Sequence, residues 1–418
     1  MRCSRLSATA VWGAIAALGT GSGCLDAGSL FDSAGDVVLG TTAAAGDSSA
    51  GIATLVDSPG SQPSNSAATE DRIDALVVED EVRSGAYRLF DLGPSDAGDR
   101  WTITPLGSQA GFFVVVLFDE SMNLLCRDYV GSGYGFDHTL RSSTQRMQVG
   151  VMPSGSSAGG AFRFRAERAA AQAIPPPQPQ VVWLNFGGAQ DLSVHGGRPI
   201  SFGVFDAAVL GDAYAGSNSA MKQAIVDVVR ADYAPYNVQI LTSDDAPAPE
   251  DATIVHFGGY DTALLGLADS VDGYNREVRQ NAIIYLRSFA AYQTMRLSVD
   301  EMAEMIGNVA SHELGHLLGL YHTRDPRDVM DTTGTAWQLA DAQSFLRAAV
   351  EPSVFAVGWE DSPTILAHSV GLRPDAAKAT QVARSRRPLR EWLLRFTAEE
   401  TRHACGTCVH LDAGVPAE

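Results

Sequence analysis

The stretch SVDEMAEMIGNVASHELGHLLGLYH, residues 298–322, decides how the second half of the chain folds. Ser298 and Glu301 stand in the Ser-x-x-Glu arrangement of a capping box, in which the hydroxyl accepts a backbone N–H of the first turn and the carboxylate reaches back. Met302, Met305, Ile306, Val309, Leu317 and Leu318 follow at helical spacing, which predicts a helix from about 299 to 318. His312 and His316 then lie one above the other on one face, so two imidazole nitrogens can reach a single Zn²⁺ about 2 Å away. Glu313 is rotated about 100° from His312 by the helix period, which takes it out of the ligand position and lets it face a water on the metal. Gly319 suits a left-handed turn that ends the helix and folds His322 back as a third ligand. Three protein ligands leave a fourth position for water.

A lone His is usually a surface or satisfied core residue, and a lone Gly after a helix is usually only a cap. With nine His and 41 Gly in 418 residues, a chance meeting of all five positions anywhere in the chain is on the order of 10⁻⁵. The five residues therefore read as one unit.

The run from His312 to His322 completes H-E-x-x-H-x-x-G-x-x-H and resembles the metzincin zinc metallopeptidases. The resemblance implies a methionine turn beneath the metal, and Met330 in Arg327-Asp328-Val329-Met330-Asp331, eight residues after His322, matches it. Thr332 stands two residues after this Met, where astacin-like and serralysin-like members carry Tyr, so the matrixin-like type is nearer and no tyrosine switch is implied. The activity implied by the resemblance is that of a zinc endopeptidase: Zn²⁺ on His312, His316 and His322 polarises the scissile carbonyl, and Glu313 is the general base. Its partners would be protein or peptide substrates. No Pro-Arg-Cys-Gly thiol switch precedes this region.

The likeness extends more loosely over residues 181–371, read as an α/β catalytic domain. Residues 181–186, 238–241, 253–257 and 282–286 are strand-like, and 219–232 is helix-like. By the resemblance, the strand at Ala282 to Leu286 edges the cleft and pairs with extended substrate. Residues from Met330 through Trp337 would wall a specificity pocket, and a helix over 338–349 would close the domain.

Upstream, residues 71–168 hold short strand-like runs (Tyr87 to Phe90, Trp101 to Ile103, Phe112 to Phe118, Met147 to Val151) between Gly, Ser, Asp and Pro clusters, which predicts an all-β sandwich. The segments AYRLFDLG, DRWTI and FFVVVLFDESMNLL resemble the pre-peptidase C-terminal modules of secreted bacterial peptidases, implying a binding or spacing role. Cys126, beside Leu124 and Leu125, reads as a buried inert thiol. Ile174-Pro175-Pro176-Pro177-Gln178-Pro179 marks 169–180 as a stiff linker. The expected architecture is thus multidomain, a β-sandwich followed by an α/β metzincin-type peptidase domain, and 45% hydrophobic content supports two cores.

At the N-terminus, Arg2 and Arg5, a mostly apolar 6–19 and Gly21-Ser22-Gly23-Cys24 follow the order of a secretory signal, which makes residues 1–23 a signal peptide. The small-small-Cys ending resembles a bacterial lipoprotein signal with Cys24 as the lipid-bearing residue, although Gly21 stands where such signals usually place Leu. The expected location is extracytoplasmic, lipid-anchored or secreted, with membrane contact only through that lipid. Residues 24–70 are rich in Ala, Gly, Ser, Thr and Asp and read as a disordered tether. Thirty basic residues against 49 acidic ones, net −19, repel a nucleic-acid backbone.

Other polar clusters carry less. His256 and Asp261 lack the further His ligands of the second, structural zinc that matrixins hold, and Asp269, Asp272 and Asn275 lack the spacing of a twelve-residue Ca²⁺ loop. Residues 372–418 read as a helical tail with Leu389, Trp392, Leu393 and Phe396 on one stripe. His403, Cys405, Cys408 and His410 are crowded into eight residues, and a disulfide or free thiols suit them better than zinc. The alternative to an enzyme is a surface-attached binding or adhesion lipoprotein with a vestigial peptidase domain. Glu313 argues against it, because a structural zinc site needs a fourth ligand and no base.

Overall fold

The computed structural model describes residues 53–55, 73–107, 111–131, 133–154 and 159–375. The expected signal peptide at 1–23, Cys24, the stripe 389–396 and the residues His403, Cys405, Cys408 and His410 lie outside the described residues.

The N-terminal region is all-β, with β1 (Ala53–Leu55), β2 (Ala75–Arg83), β3 (Arg88–Ser95), β4 (Arg100–Pro105), β5 (Phe113–Phe118), β6 (Leu124–Val130), β7 (Phe136–Thr139), β8 (Thr144–Pro153) and β9 (Gly159–Ala169). They form two antiparallel sheets, ordered β1-β2-β9-β4-β7 and β3-β8-β5-β6. Strand β9 shows why the sheets face each other: Phe162, Phe164 and Ala166 are buried while Arg163, Arg165 and Glu167 are exposed, the period-2 alternation of a half-buried strand. These residues share one core with Phe90 and Leu92 of β3 and Val149 and Val151 of β8. The expected tether needs one correction. Ala53–Leu55 adds an edge strand to β2 in register with Leu76–Val78, because even three residues can complete a sheet edge when its partner strand is already ordered.

The second region is mixed α/β: β10 (Gln180–Asn185), β11 (Ala189–Leu192), β12 (Ile200–Phe202), α1 (Asn218–Asp232), β13 (Val238–Thr242), β14 (Thr253–Phe257), β15 (Gly266–Ala268), β16 (Asn281–Ile284), α2 (Val299–Leu317), α3 (Ala336–Leu339), β17 (Arg347–Ala349), β18 (Trp359–Asp361) and α4 (Ser362–Ser369). Its sheet runs β13-β10-β14-β16-β15. The first four strands are parallel and β15 is antiparallel to β16. Met221, Ile225 and Val229 of α1 and Met302, Met305, Ile306 and Val309 of α2 pack on Val182, Leu184, Val255, Ala282 and Ile284 of the sheet. The hairpin β11–β12 covers Ile283 and Tyr285 on the other face.

Two expectations drawn from the family likeness are corrected here. The strand at Ala282 to Leu286 is an inner strand; the edge belongs to β15, whose three residues are too short to announce a strand by pattern. The helix expected over 338–349 is only a four-residue turn of helix, α3, followed by β17, which pairs with β18. Tertiary pairing overrides the local helical propensity of Ala, Gln, Leu and Arg in this segment.

The linker is not the sole connection between regions. The linker itself is tied down, Gln178 bonding to Ser369 and Asn275, and beyond it Val114, Val116, Phe118 and Leu124 share a hydrophobic cluster with Val350, Val354 and Phe355. Past residue 371, Arg373 still donates to Tyr236 O (2.8 Å) and Val238 O (2.6 Å). No helix among the described residues is long and apolar enough to cross a membrane.

Candidate active site

Helix α2 begins as its sequence requires. Ser298 Oγ accepts the Glu301 N–H at 3.3 Å while Glu301 Oε2 accepts the Ser298 N–H at 2.8 Å. The final turns are fully buried, and there the helix presents His312, Glu313 and His316. It ends at Gly319, whose φ of +99° is the left-handed geometry that glycine adopts without strain. A Cβ at that position would also stand 3.0 Å from Asp272 O. The chain reverses through Leu320 and Tyr321 and brings His322 to the two helical imidazoles.

One ring nitrogen from each of His312, His316 and His322 falls within 4.8 Å of the others, and all three residues are buried. His316 Nε2 and His322 Nε2 are 3.0 Å apart. His312 Nδ1 pairs with Val329 O and His316 Nδ1 with Leu320 O, both at 2.8 Å. A carbonyl accepts only from a protonated Nδ1, so both Nε2 atoms are left with free lone pairs directed at the centre. Burial, with His316 adding to it, pushes His312 down to about 3. Burial likewise pushes His316 down to about 4, so both rings are neutral near pH 7. His312 Nε2 and both carboxylate oxygens of Glu313 are buried with no hydrogen-bond partner among the described residues. Three buried imidazoles around one point and an orphaned donor atom fit a zinc ion with an open position. Among the described residues no other group of His, Cys, Asp and Glu could hold a metal.

Two glycines shape the surroundings. A Cβ on Gly315 would stand 2.6 Å from Met330 Sδ, so this position of the motif lets the methionine lie against α2. A Cβ on Gly266 would stand 2.5 Å from Glu313 Oε1, so edge strand β15 passes directly beside the carboxylate. Burial raises the Glu313 carboxyl well above its ordinary range.

The turn carrying Met330 is pinned by carboxylates that the motif does not reveal. Asp328 accepts from Thr323 Oγ1 (2.8 Å) and from the Leu346 N–H (3.2 Å), and burial pushes it up to about 7. Glu360, fully buried, accepts the Tyr321 N–H at 2.6 Å. The remaining sequence candidates have internal duties. His256 lies between Asn185 and Asn281, and Asp261 accepts the Ala263 and Leu264 N–H groups. Asp269 accepts from His195 and Asn281, and Asp272 from Glu277 and Gln280. Cys126 is half-buried against the all-β core rather than fully buried, and desolvation pushes its thiol up.

The matrixin peptidase family model matches residues 238–343, a span that holds β13 through α3 and the three His residues. No curated protein matches the sequence. Similar solved structures include an archaemetzincin from Methanopyrus kandleri, at 12% identity over 39% of this chain and 86% of that one, TM-score 0.22. PliG, a periplasmic inhibitor of g-type lysozyme from Aeromonas hydrophila, is similar at 11% identity over 23% of this chain and 87% of that one, TM-score 0.20.

Proposed function

From the matrixin match and the three converging imidazoles, we propose that this chain is an exported zinc-dependent endopeptidase acting on protein or peptide substrates. The observation that carries the reading is the buried triad of imidazoles beside a carboxylate that has no partner of its own among the described residues. Zinc bound by His312, His316 and His322 supplies Lewis acidity, polarising a carbonyl and making water a nucleophile near neutral pH.

The chain's own residues do the rest. Glu313 takes the proton from the attacking water and returns it to the nitrogen of the leaving amine. Strand β15, at the end of the sheet order, offers unpaired backbone groups to an extended peptide beside that carboxylate. Met330 and the Val329 carbonyl hold the floor and the tautomer of His312. In this reading residues 1–23 direct export and Cys24 is the lipid-attachment residue. Mass spectrometry of the mature N-terminus in the native host checks that, and an unmodified N-terminus beyond Cys24 refutes it.

The test of the enzyme uses the full chain on a mixed peptide library. Glu313→Gln should keep zinc and lose activity by about 10²–10⁴-fold, since the amide cannot accept the proton. His322→Ala should lose both. Zinc-loaded wild type that cuts nothing, or a Glu313→Gln protein that cuts equally well, refutes the proposal.

A further inference from the structure

The third ligand sits on a loop, and that loop is fastened to the all-β region. Tyr321, immediately before His322, donates its hydroxyl to Arg127 O of β6 at 3.0 Å. The Arg127 guanidinium lies 5.8 Å from the Tyr321 ring centroid, and its Nε donates to Val354 O at 3.0 Å. On the other side of the same loop, Glu351 N–H donates to His322 O at 2.9 Å. Glu351 follows Val350, which with Val354 and Phe355 packs against Val114, Val116, Phe118 and Leu124. The fit is tight: a Cβ on Gly150 of β8 would stand 2.7 Å from Phe355 Cζ.

A second tie reaches the end of the zinc helix. Asp272 N–H donates to His316 O at 3.0 Å, and Asp272 O lies against Gly319. Two residues on, the hydroxyl of Tyr274 donates to Thr139 O of β7 and stands 2.8 Å from His138 Nδ1. Tyr274 and Asn275 both have left-handed backbones, φ +77° and +49°. Such conformations cost on the order of 1–3 kcal/mol each and persist only where the surroundings fix them. Here the all-β region helps to fix Tyr274, while Gln178 and Gln180 hold Asn275.

We propose that the all-β region is part of the framework of the zinc site, with Tyr321 and Tyr274 as positioning residues that carry its hold to His322 and to the end of α2. The inference rests on the zinc-peptidase reading and adds to it that the catalytic region does not set its metal geometry alone. The physical reason is that a helix fixes His312 and His316 by its period, whereas the loop that carries His322 has no such period and depends on the contacts of Tyr321 and its neighbours. Partners that orient metal ligands are worth about 10–100-fold in metal affinity when removed.

The experiment compares full-length wild type, Tyr321→Phe, Tyr274→Phe and the double variant, each keeping its ring and losing only the hydroxyl. Zinc affinity is read by chelator competition, ligand geometry by the visible absorption of the Co²⁺-substituted protein, and folding by thermal midpoint. A Phe162→Leu control weakens the all-β core away from both tyrosines. Tyr321→Phe should weaken zinc binding about tenfold and alter the Co²⁺ spectrum, the double variant more so, while the control lowers the midpoint and leaves zinc affinity and spectrum unchanged. Should the double variant fail to fold, Tyr321→Phe alone decides. Wild-type zinc affinity and spectrum in the tyrosine variants, or an equal loss in the control, overturn this inference alone. A wild type that takes up no zinc overturns the zinc-site reading and this inference with it.

Discussion

His312 and His316 stand on α2, where the helix period sets their spacing; His322 stands on a loop for which no such rule exists. The helical pair is secured by local means: a capping box at one end, an apolar face along its length and glycine at the other end. The loop is secured by contacts near and far in sequence that no period announces, Asp328 on Thr323, the Glu360 carboxylate on the Tyr321 N–H, and the Arg127 carbonyl on the Tyr321 hydroxyl. A metal site of this kind is half written in a short motif and half in residues scattered over the chain.

The contrast can be broken most sharply at Asp328. Burial holds its carboxyl near 7, against 3.8 for a free one. A raised carboxyl pKa leaves stability intact below about pH 4 and removes it as pH rises from there toward 7, because the unfolded chain ionises first. Asp328→Asn should therefore gain stability over wild type by a few kcal/mol between pH 4 and pH 8, measured by thermal unfolding with chelator present. Parallel pH profiles for the two proteins would show that this carboxyl does not titrate as described. Next is Gly319→Ala, at the junction of helix and loop. A left-handed alanine pressed 3.0 Å from Asp272 O should cost about 2 kcal/mol, and zinc affinity should fall with it in chelator competition. Smallest is Ser298→Ala at the far end of α2, with a cost of about 1 kcal/mol in thermal stability. Zinc affinity should not change there; if it does, the helix is not the self-sufficient partner in this comparison.

The same division explains which elements are legible in the sequence. Helix α2 and its neighbours β10, α1, β13, β14 and β16 follow from helical spacing or short apolar runs, the latter even where, as in β16, both faces are covered. Strand β15 escapes notice because Gly266–Ala268 is three residues long, and its importance lies in an absent side chain beside Glu313. Glu360 and Asp328 escape because a buried carboxylate looks like a surface one until the partners of its oxygens are known. The contact between regions did leave a trace. FVVVLF in β5 is buried on both faces, with Phe113, Val115 and Leu117 in the all-β core and Val114, Val116 and Phe118 against Phe355. An unbroken apolar run in an antiparallel strand signals a second covered face.

Arg347, on β17, donates to Asn123 across 224 residues of sequence. Contacts of such span form late, since the chain must close a long loop before they reward it. Synthesis runs from the N-terminus, so the all-β region is complete while β17 and β18 have yet to emerge, and it serves as the surface on which they settle. Only then do Glu351 and Glu360 reach His322 and Tyr321. Assembly of these contacts around His322 therefore waits until β18 has been made.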